Sequence, residues 1–157
     1  MRNFIISLKV GDKAPSFNIS VFGSKEFSLS NLKGSNVIIY FYPKDATPGC
    51  TKDTYEFRDE MPDFSSHNAK IIGISKDRII KHDKFKAKYD LRFQLEADLG
   101  GAVCEAYGTW IEKSMYGRHY MGIERATFLV GKEGILQGKW RKVKGHVEEV
   151  LEAVEKI

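Results

Sequence analysis

The chain has little cysteine and little proline, two and four residues respectively in 157, and no apolar run approaching the roughly 20 residues needed to span a bilayer. Two cysteines in a chain of this length exclude a disulfide scaffold, so reduced thiols are expected and any disulfide would be transient and catalytic. The apolar start at Met1–Leu8 is broken by Lys9 and Asp12 and carries no small-residue cleavage site. A secretory signal is therefore not expected, and a cytoplasmic location is. No clustered Cys/His spacing marks a metal site, and neither a metal nor another cofactor is expected. Charge bias is also slight, at +4 overall. Basic residues concentrate in Lys76–Arg92 and Lys139–Lys144, but acidic residues are interleaved, which fits solvated faces and argues against a nucleic-acid partner. Repeats, low-complexity tracts and linkers are missing as well, so one domain over residues 1–157 is expected.

What is present centres on Cys50. The uncharged run Val37–Tyr42 is β-branched and aromatic, the pattern of a strand buried on both faces. Pro43 cannot donate to a ladder, so the strand should stop there. Thr47 and Pro48 read as a helix N-cap and first helical residue. Cys50 then falls in the first turn, where unpaired N–H groups and the helix dipole favour a thiolate over a thiol of ordinary pKa, about 8.5. Cys50, Thr54, Phe57, Met61 and Phe64 recur at helical spacing as an inward stripe, and Pro62 should end or kink the helix near Met61.

Further along, Lys70–Ser75 reads as a second buried strand, parallel to the first through a βαβ crossover. Lys76–Tyr89 reads as an amphipathic helix with Ile80, Phe85 and Tyr89 inward, and Gly101–Tyr107 as a short helix. Ala126–Val130 and Ile135–Arg141 read as a hairpin turning at Gly131–Gly134, followed by a closing helix over Gly145–Lys156 with Val147, Val150, Leu151 and Val154 as its apolar stripe. A front hairpin is expected from Phe17–Ile19 and Glu26–Leu29 around Gly23-Ser24. The expected fold is α/β: a thioredoxin-like sandwich, with a central mixed sheet flanked by helices and an N-terminal β-hairpin.

Several chemistries use an activated cysteine at a helix start. Disulfide exchange wants a Cys-x-x-Cys pair, and Cys50 is followed by Thr51-Lys52-Asp53. A cysteine hydrolase wants an oriented histidine, and none of His67, His82, His119 and His146 stands in a catalytic setting. A lone thiolate attacking an electrophile that needs no protein base remains, and a hydroperoxide fits, because its O–O bond breaks under thiolate attack to leave a sulfenic acid.

Pro43-x-x-x-Thr47-x-x-Cys50 resembles the peroxidatic-cysteine signature of the peroxiredoxins, and Tyr40–Thr51 as a whole is similar to their bacterioferritin-comigratory, or Q-type, branch. The likeness extends to Val10–Pro15, Gly73–Ser75, Glu105–Trp110 and Arg125–Val130. The resemblance implies a thiol-dependent peroxidase that reduces hydrogen peroxide and alkyl hydroperoxides, in antioxidant defence. Cys50 would be the nucleophile, Thr47 a hydrogen-bond partner of sulfur and peroxide, and Pro43 a shield against water. Arg125 would be a cation that lowers the thiol pKa and grips the peroxide. Many Q-type members carry a second cysteine five residues after the nucleophile, where this chain has Tyr55. Cys104 is the one other candidate to resolve the sulfenic acid; its apolar neighbours suit a buried, inert thiol. If Cys104 is silent, an external thiol such as thioredoxin, or glutaredoxin with glutathione, must reduce Cys50. A monomer or weak dimer is expected, without membrane contact. Two other readings use the same site or fold: a redox sensor or binding module that oxidises without rapid turnover, and a holdase-like role that does not need Cys50.

Overall fold

Strand β3 (Asn36–Phe41) is buried along its entire length. Its side chains alternate between two faces, so it must be covered by a layer on each side. In the computed structural model, which describes residues 8–20, 26–29, 33–43, 48–76, 84–88, 94–98, 101–141 and 147–157, both layers are present. One face of β3 sends Ile38 and Tyr40, with Tyr42 just beyond, against Phe57 and Phe64 of helix α1 (Pro48–Ser66) and Val147, Val150 and Val154 of the closing helix. The other sends Val37, Ile39 and Phe41 into a core with Cys104, Tyr107 and Phe128.

Laterally, β3 pairs in parallel with β4 (Ala69–Ser75), and β4 in parallel with β5 (Gln94–Ala97). On its other side β3 pairs antiparallel with β8 (Ala126–Val130), which pairs antiparallel with β9 (Leu136–Arg141). The central sheet is thus five-stranded and mixed, in the order β5-β4-β3-β8-β9. Two hairpins stand outside it: β1 (Asn18–Ser20) with β2 (Glu26–Ser28), and β6 (Trp110–Met115) with β7 (Arg118–Ile123). Helix α2 (Ala102–Ala106) and helix α3 (Val147–Glu155) complete the named elements, and residues 84–88 are also helical. Among the described residues no helix is long and apolar enough to cross a membrane.

The strand, helix and hairpin readings around Cys50 and the carboxyl-terminal half fall within a residue or two of the observed elements. Helix α1 does not end at Met61, however; it continues through Pro62 to Ser66. Proline removes one backbone bond near the helix end, while the next turn gains the fully buried Phe64, whose ring lies 6.0 Å from that of Phe57. Of the helix read over Lys76–Tyr89, residues 84–88 are seen and Phe85 is buried; Ile80 and Tyr89 lie outside the described residues, as does the turn at Gly23-Ser24. Strand β5 and the β6–β7 hairpin were not legible. The hairpin turns at Tyr116-Gly117, both with positive φ (52° and 79°), so a tyrosine occupies a place where asparagine or glycine gives the usual turn signal.

Gly73 sits between Tyr40 in β3 and Leu95 in β5, with no room for a side chain. A β-carbon there would stand 2.7 Å from Leu95 Cδ2 and 2.8 Å from the Tyr40 ring. Gly73→Ala is expected to destabilise the fold by about 1–3 kcal/mol through overpacking. The check is a lowered denaturant midpoint at unchanged m-value.

Candidate active site

Parallel strands in an α/β sheet carry functional groups at their carboxyl ends, because the chain leaves the sheet there in loops and helix N-termini. β3, β4 and β5 all end at the same edge. Beyond β3, the Tyr42 N–H still reaches the Ile74 carbonyl at 3.2 Å. Half-buried Pro43 then bends the chain and has no N–H with which to extend the ladder. Residues 44–47, Thr47 among them, lie outside the described residues. Helix α1 begins at Pro48, so Cys50 is its third residue, within the turn whose N–H groups have no helical acceptor. The backbone of Cys50 is thereby placed at the sheet edge; its side chain lies outside the description.

One turn deeper, α1 is fixed to β3. The Tyr40 hydroxyl and Thr54 Oγ1 share a buried hydrogen bond of 3.1 Å, and the Phe57 ring stacks on Tyr40 at 4.8 Å. Four residues separate Thr54 from Cys50, one helical turn. The start of α1 is therefore tied through Thr54 to the end of the central strand.

The second expected site residue arrives from the opposite direction. β8 runs antiparallel to β3 with Ala126 opposite Phe41. Extending that register by one residue sets Arg125 across from Tyr42, next to Pro43. Arg125 is half-buried, with its Nε fully enclosed. The fold thus brings Arg125, Pro43 and the first turn of α1 to one edge, although they are far apart in the chain.

Cys104 sits elsewhere. It is a free, fully buried thiol in α2, in the core that packs on the Val37–Ile39–Phe41 face of β3, whereas α1 covers the other face. Burial is the largest cause pushing its pKa up, followed by a hydrogen bond from the thiol to Asp98; Thr109 and the Lys76 charge pull weakly the other way. Burial of this kind disfavours the thiolate.

Sequence reading missed three polar features at this edge. Asp98, just beyond β5, accepts the N–H groups of Cys104 (2.8 Å) and Val103 (3.3 Å) and so caps α2 from outside it. Lys76, just beyond β4, places its ammonium 4.2 Å over the Trp110 ring. Glu124, beside Arg125, is buried and paired with Arg141 at the end of β9. None belongs to a local pattern; an acidic residue immediately before Arg125 was the sole hint.

The buried Cys104 thiol has a stability consequence. In the unfolded chain it ionises near pH 8.5, while in the folded chain it stays neutral, so its contribution is full below about pH 8.5 and is lost as pH rises toward the folded value. Stability should fall between about pH 8 and pH 10 by up to about 1.4 kcal/mol per pH unit on this account. Buried Tyr107, whose pKa is also raised by burial, adds a loss of the same sign at higher pH. Urea unfolding across this range should show a shallower pH slope in Cys104→Ala, whatever its stability at neutral pH.

Comparison with known proteins gives the same picture. Residues 10–139 match the AhpC/TSA family. A Coxiella burnetii relative bearing the bcp peroxiredoxin name is 47 % identical over 148 residues, covering 93 % of this chain and 98 % of the relative. The peroxiredoxin Bcp of Bacillus subtilis is 44 % identical over 151 residues, covering 95 % and 96 %. Among solved structures, the bacterioferritin comigratory protein of Xanthomonas campestris superposes with a TM-score of 0.84 at 42 % identity, covering 89 % of this chain and 90 % of that one. With the fold, the edge geometry and these relatives in agreement, the chain belongs to the AhpC/TSA family, in its Bcp (PrxQ) peroxiredoxin branch.

Proposed function

We propose that this peroxiredoxin, a thiol-dependent peroxidase, performs its reaction on Cys50. The observation that carries the reading is the edge itself. A cysteine in the first turn of α1 stands at the carboxyl end of β3, and the Phe41–Ala126 register delivers Arg125 to the same place. The thiolate attacks the terminal oxygen of a hydroperoxide, the O–O bond breaks, and sulfur becomes a sulfenic acid. The departing alkoxide or hydroxide takes up a proton to leave as alcohol or water. Arg125 serves as a fixed cation that favours the thiolate and faces the negative charge developing on the leaving oxygen. Pro43 keeps water from the sulfur side of the loop, and Thr47 donates its hydroxyl to the reacting oxygen. Alkyl peroxide reduction is described for the Xanthomonas campestris relative, which supports organic hydroperoxides as substrates beside hydrogen peroxide.

The reduction half of the cycle draws on an external thiol. Tyr55, under the Arg58 guanidinium at 4.6 Å, occupies the place of a nearby second sulfur, and Cys104 lies in the core on the opposite face of the sheet from α1. The sulfenic acid then condenses with an incoming thiol, releasing water, and a second thiol exchanges with that mixed disulfide to free Cys50. A small dithiol protein such as thioredoxin, or glutaredoxin with glutathione, fits this role. Chemistry of this kind suits a reducing, cytoplasmic setting. Two cores on the two faces of one sheet support reading residues 1–157 as a single domain.

The test combines three variants with mass mapping after one equivalent of peroxide. Cys50→Ser is expected to abolish turnover, and Cys104→Ala to keep it with an external dithiol donor. Arg125→Ala should slow the peroxide step by on the order of 10²-fold, as loss of one charge-stabilising donor does elsewhere. Retained turnover in Cys50→Ser would overturn the assignment, and loss of turnover in Cys104→Ala would overturn the external-thiol route.

A further inference from the structure

The junction between β7 and β8 is built more heavily than a two-residue link needs. Glu124 is only 4 % exposed, yet it is a carboxylate. Arg141 Nε donates to Glu124 Oε1 at 2.6 Å, and Arg141 Nη2 contacts the same oxygen. That Nη2 also donates to the Gly108 carbonyl at 2.9 Å. The Glu124 N–H in turn donates to the Thr109 carbonyl at 2.6 Å, and Thr109 is held to Cys104 by bonds from its N–H (2.8 Å) and hydroxyl (3.1 Å). Three separate chain segments therefore meet on Glu124: the end of α2, the entry to β8 and the end of β9, where Arg141 pairs with Ala126.

An ion pair with a buried carboxylate and a partly exposed arginine is weak evidence for stability alone, so its presence calls for a geometric reason. Glu124 immediately precedes Arg125, and Ala126 on the far side of Arg125 is paired with Phe41 of β3 and Arg141 of β9. We propose that Glu124 and Arg141 are positioning residues, which clamp the β7–β8 junction so that the Arg125 guanidinium is held toward the first turn of α1. Neither touches the reacting atoms; both act through Arg125. The inference rests on the role given to Arg125 above. Arginine suits position 141 because its planar fork sets two nitrogens, Nε and Nη2, on the carboxylate while Nη2 also reaches the Gly108 carbonyl, whereas a lysine would offer a single nitrogen.

The test is a double-mutant cycle on the full-length protein, reading the rate of Cys50 oxidation by hydrogen peroxide and the thiol pKa from thiolate absorbance. E124Q and R141K preserve shape or charge and are chosen to fold; Val154→Ala, in the core on the other face, controls for a general loss of stability. E124Q and R141K are each expected to slow the peroxide step about tenfold, as misplacement of a distant positioning group does. They should raise the Cys50 pKa while leaving the rate of reduction by external dithiol unchanged, and Val154→Ala should do none of this. In the Arg125→Ala background, E124Q should add little, because its effect passes through Arg125. A full additional loss there, or wild-type peroxide rates in both single variants beside a slow Arg125→Ala, overturns the clamp. A wild-type rate in Arg125→Ala overturns the role of Arg125 itself, and the clamp with it.

Discussion

Two-sided burial of β3 is the constraint from which the rest follows. A strand with no exposed residue requires cover on both faces, and its alternation divides that cover into two cores that share no side chain. α1 and α3 take one face, and α2 with the aromatic group of Phe41, Tyr107 and Phe128 takes the other. Such a strand can bear no reactive group along its length, since a charge there would be desolvated without a partner. Chemistry is thereby forced to the end of the strand. Proline at 43 stops the ladder abruptly, so that the change from buried sheet to helix start takes place within a few residues.

At that edge, polar groups accumulate that the interior could not hold. Lys76 follows β4, Asp98 follows β5, Arg125 precedes β8 and Arg141 ends β9. Their partners are local: an indole face for Lys76, the N–H groups of α2 for Asp98, and Glu124 for Arg141. Each pairing ties a segment at this edge to another, two of them on residues of or packed against the core: Asp98 on Val103 and Cys104, and Lys76 on Trp110. The antiparallel insertion of β8 matters here, because a parallel strand in its place would deliver its carboxyl end to this edge instead of its start. The reversed direction places Arg125 beside the exit of β3, and the clamp at Glu124 limits how far that junction can move.

How much of this was legible in the sequence depended on whether the signal was local. The β3–Pro43–α1 passage could be read directly, since Val37–Tyr42, Pro43 and Pro48 each constrain their own backbone. The α3 stripe of Val147, Val150 and Val154 was equally plain, and all three are buried. β5 was not: four residues of mixed polarity take their strand character from pairing with β4, which no window of sequence contains. The β6–β7 hairpin escaped for a different reason, its turn being made by tyrosine in a left-handed conformation. Among the candidate site residues, Arg125 was named through the resemblance of Arg125–Val130 to the peroxiredoxin pattern. Glu124 and Arg141 were not, since 17 residues separate them and only the β8–β9 pairing brings them together.

The two cysteines show how position alone sets the chemistry of one residue type. Cys104 is buried within the core with a carboxylate close to its sulfur, so ionisation would add a second negative charge in a poorly solvating medium. Cys50 stands at a helix start, where the backbone itself supplies positive partial charge, beside an edge to which an arginine is directed. An oxidant that reacts with thiolates and hardly with thiols will then distinguish the two without a specific binding pocket. The same separation has a second effect. With β3 and its neighbours between α1 and the Cys104 core, sulfenic acid at Cys50 has no buried thiol on its own side of the sheet to capture it. On the proposed reading the edge serves two substrates in turn, a small peroxide and then a thiol from outside, and a cation and a helix terminus suit both because each step passes through an anionic sulfur or oxygen.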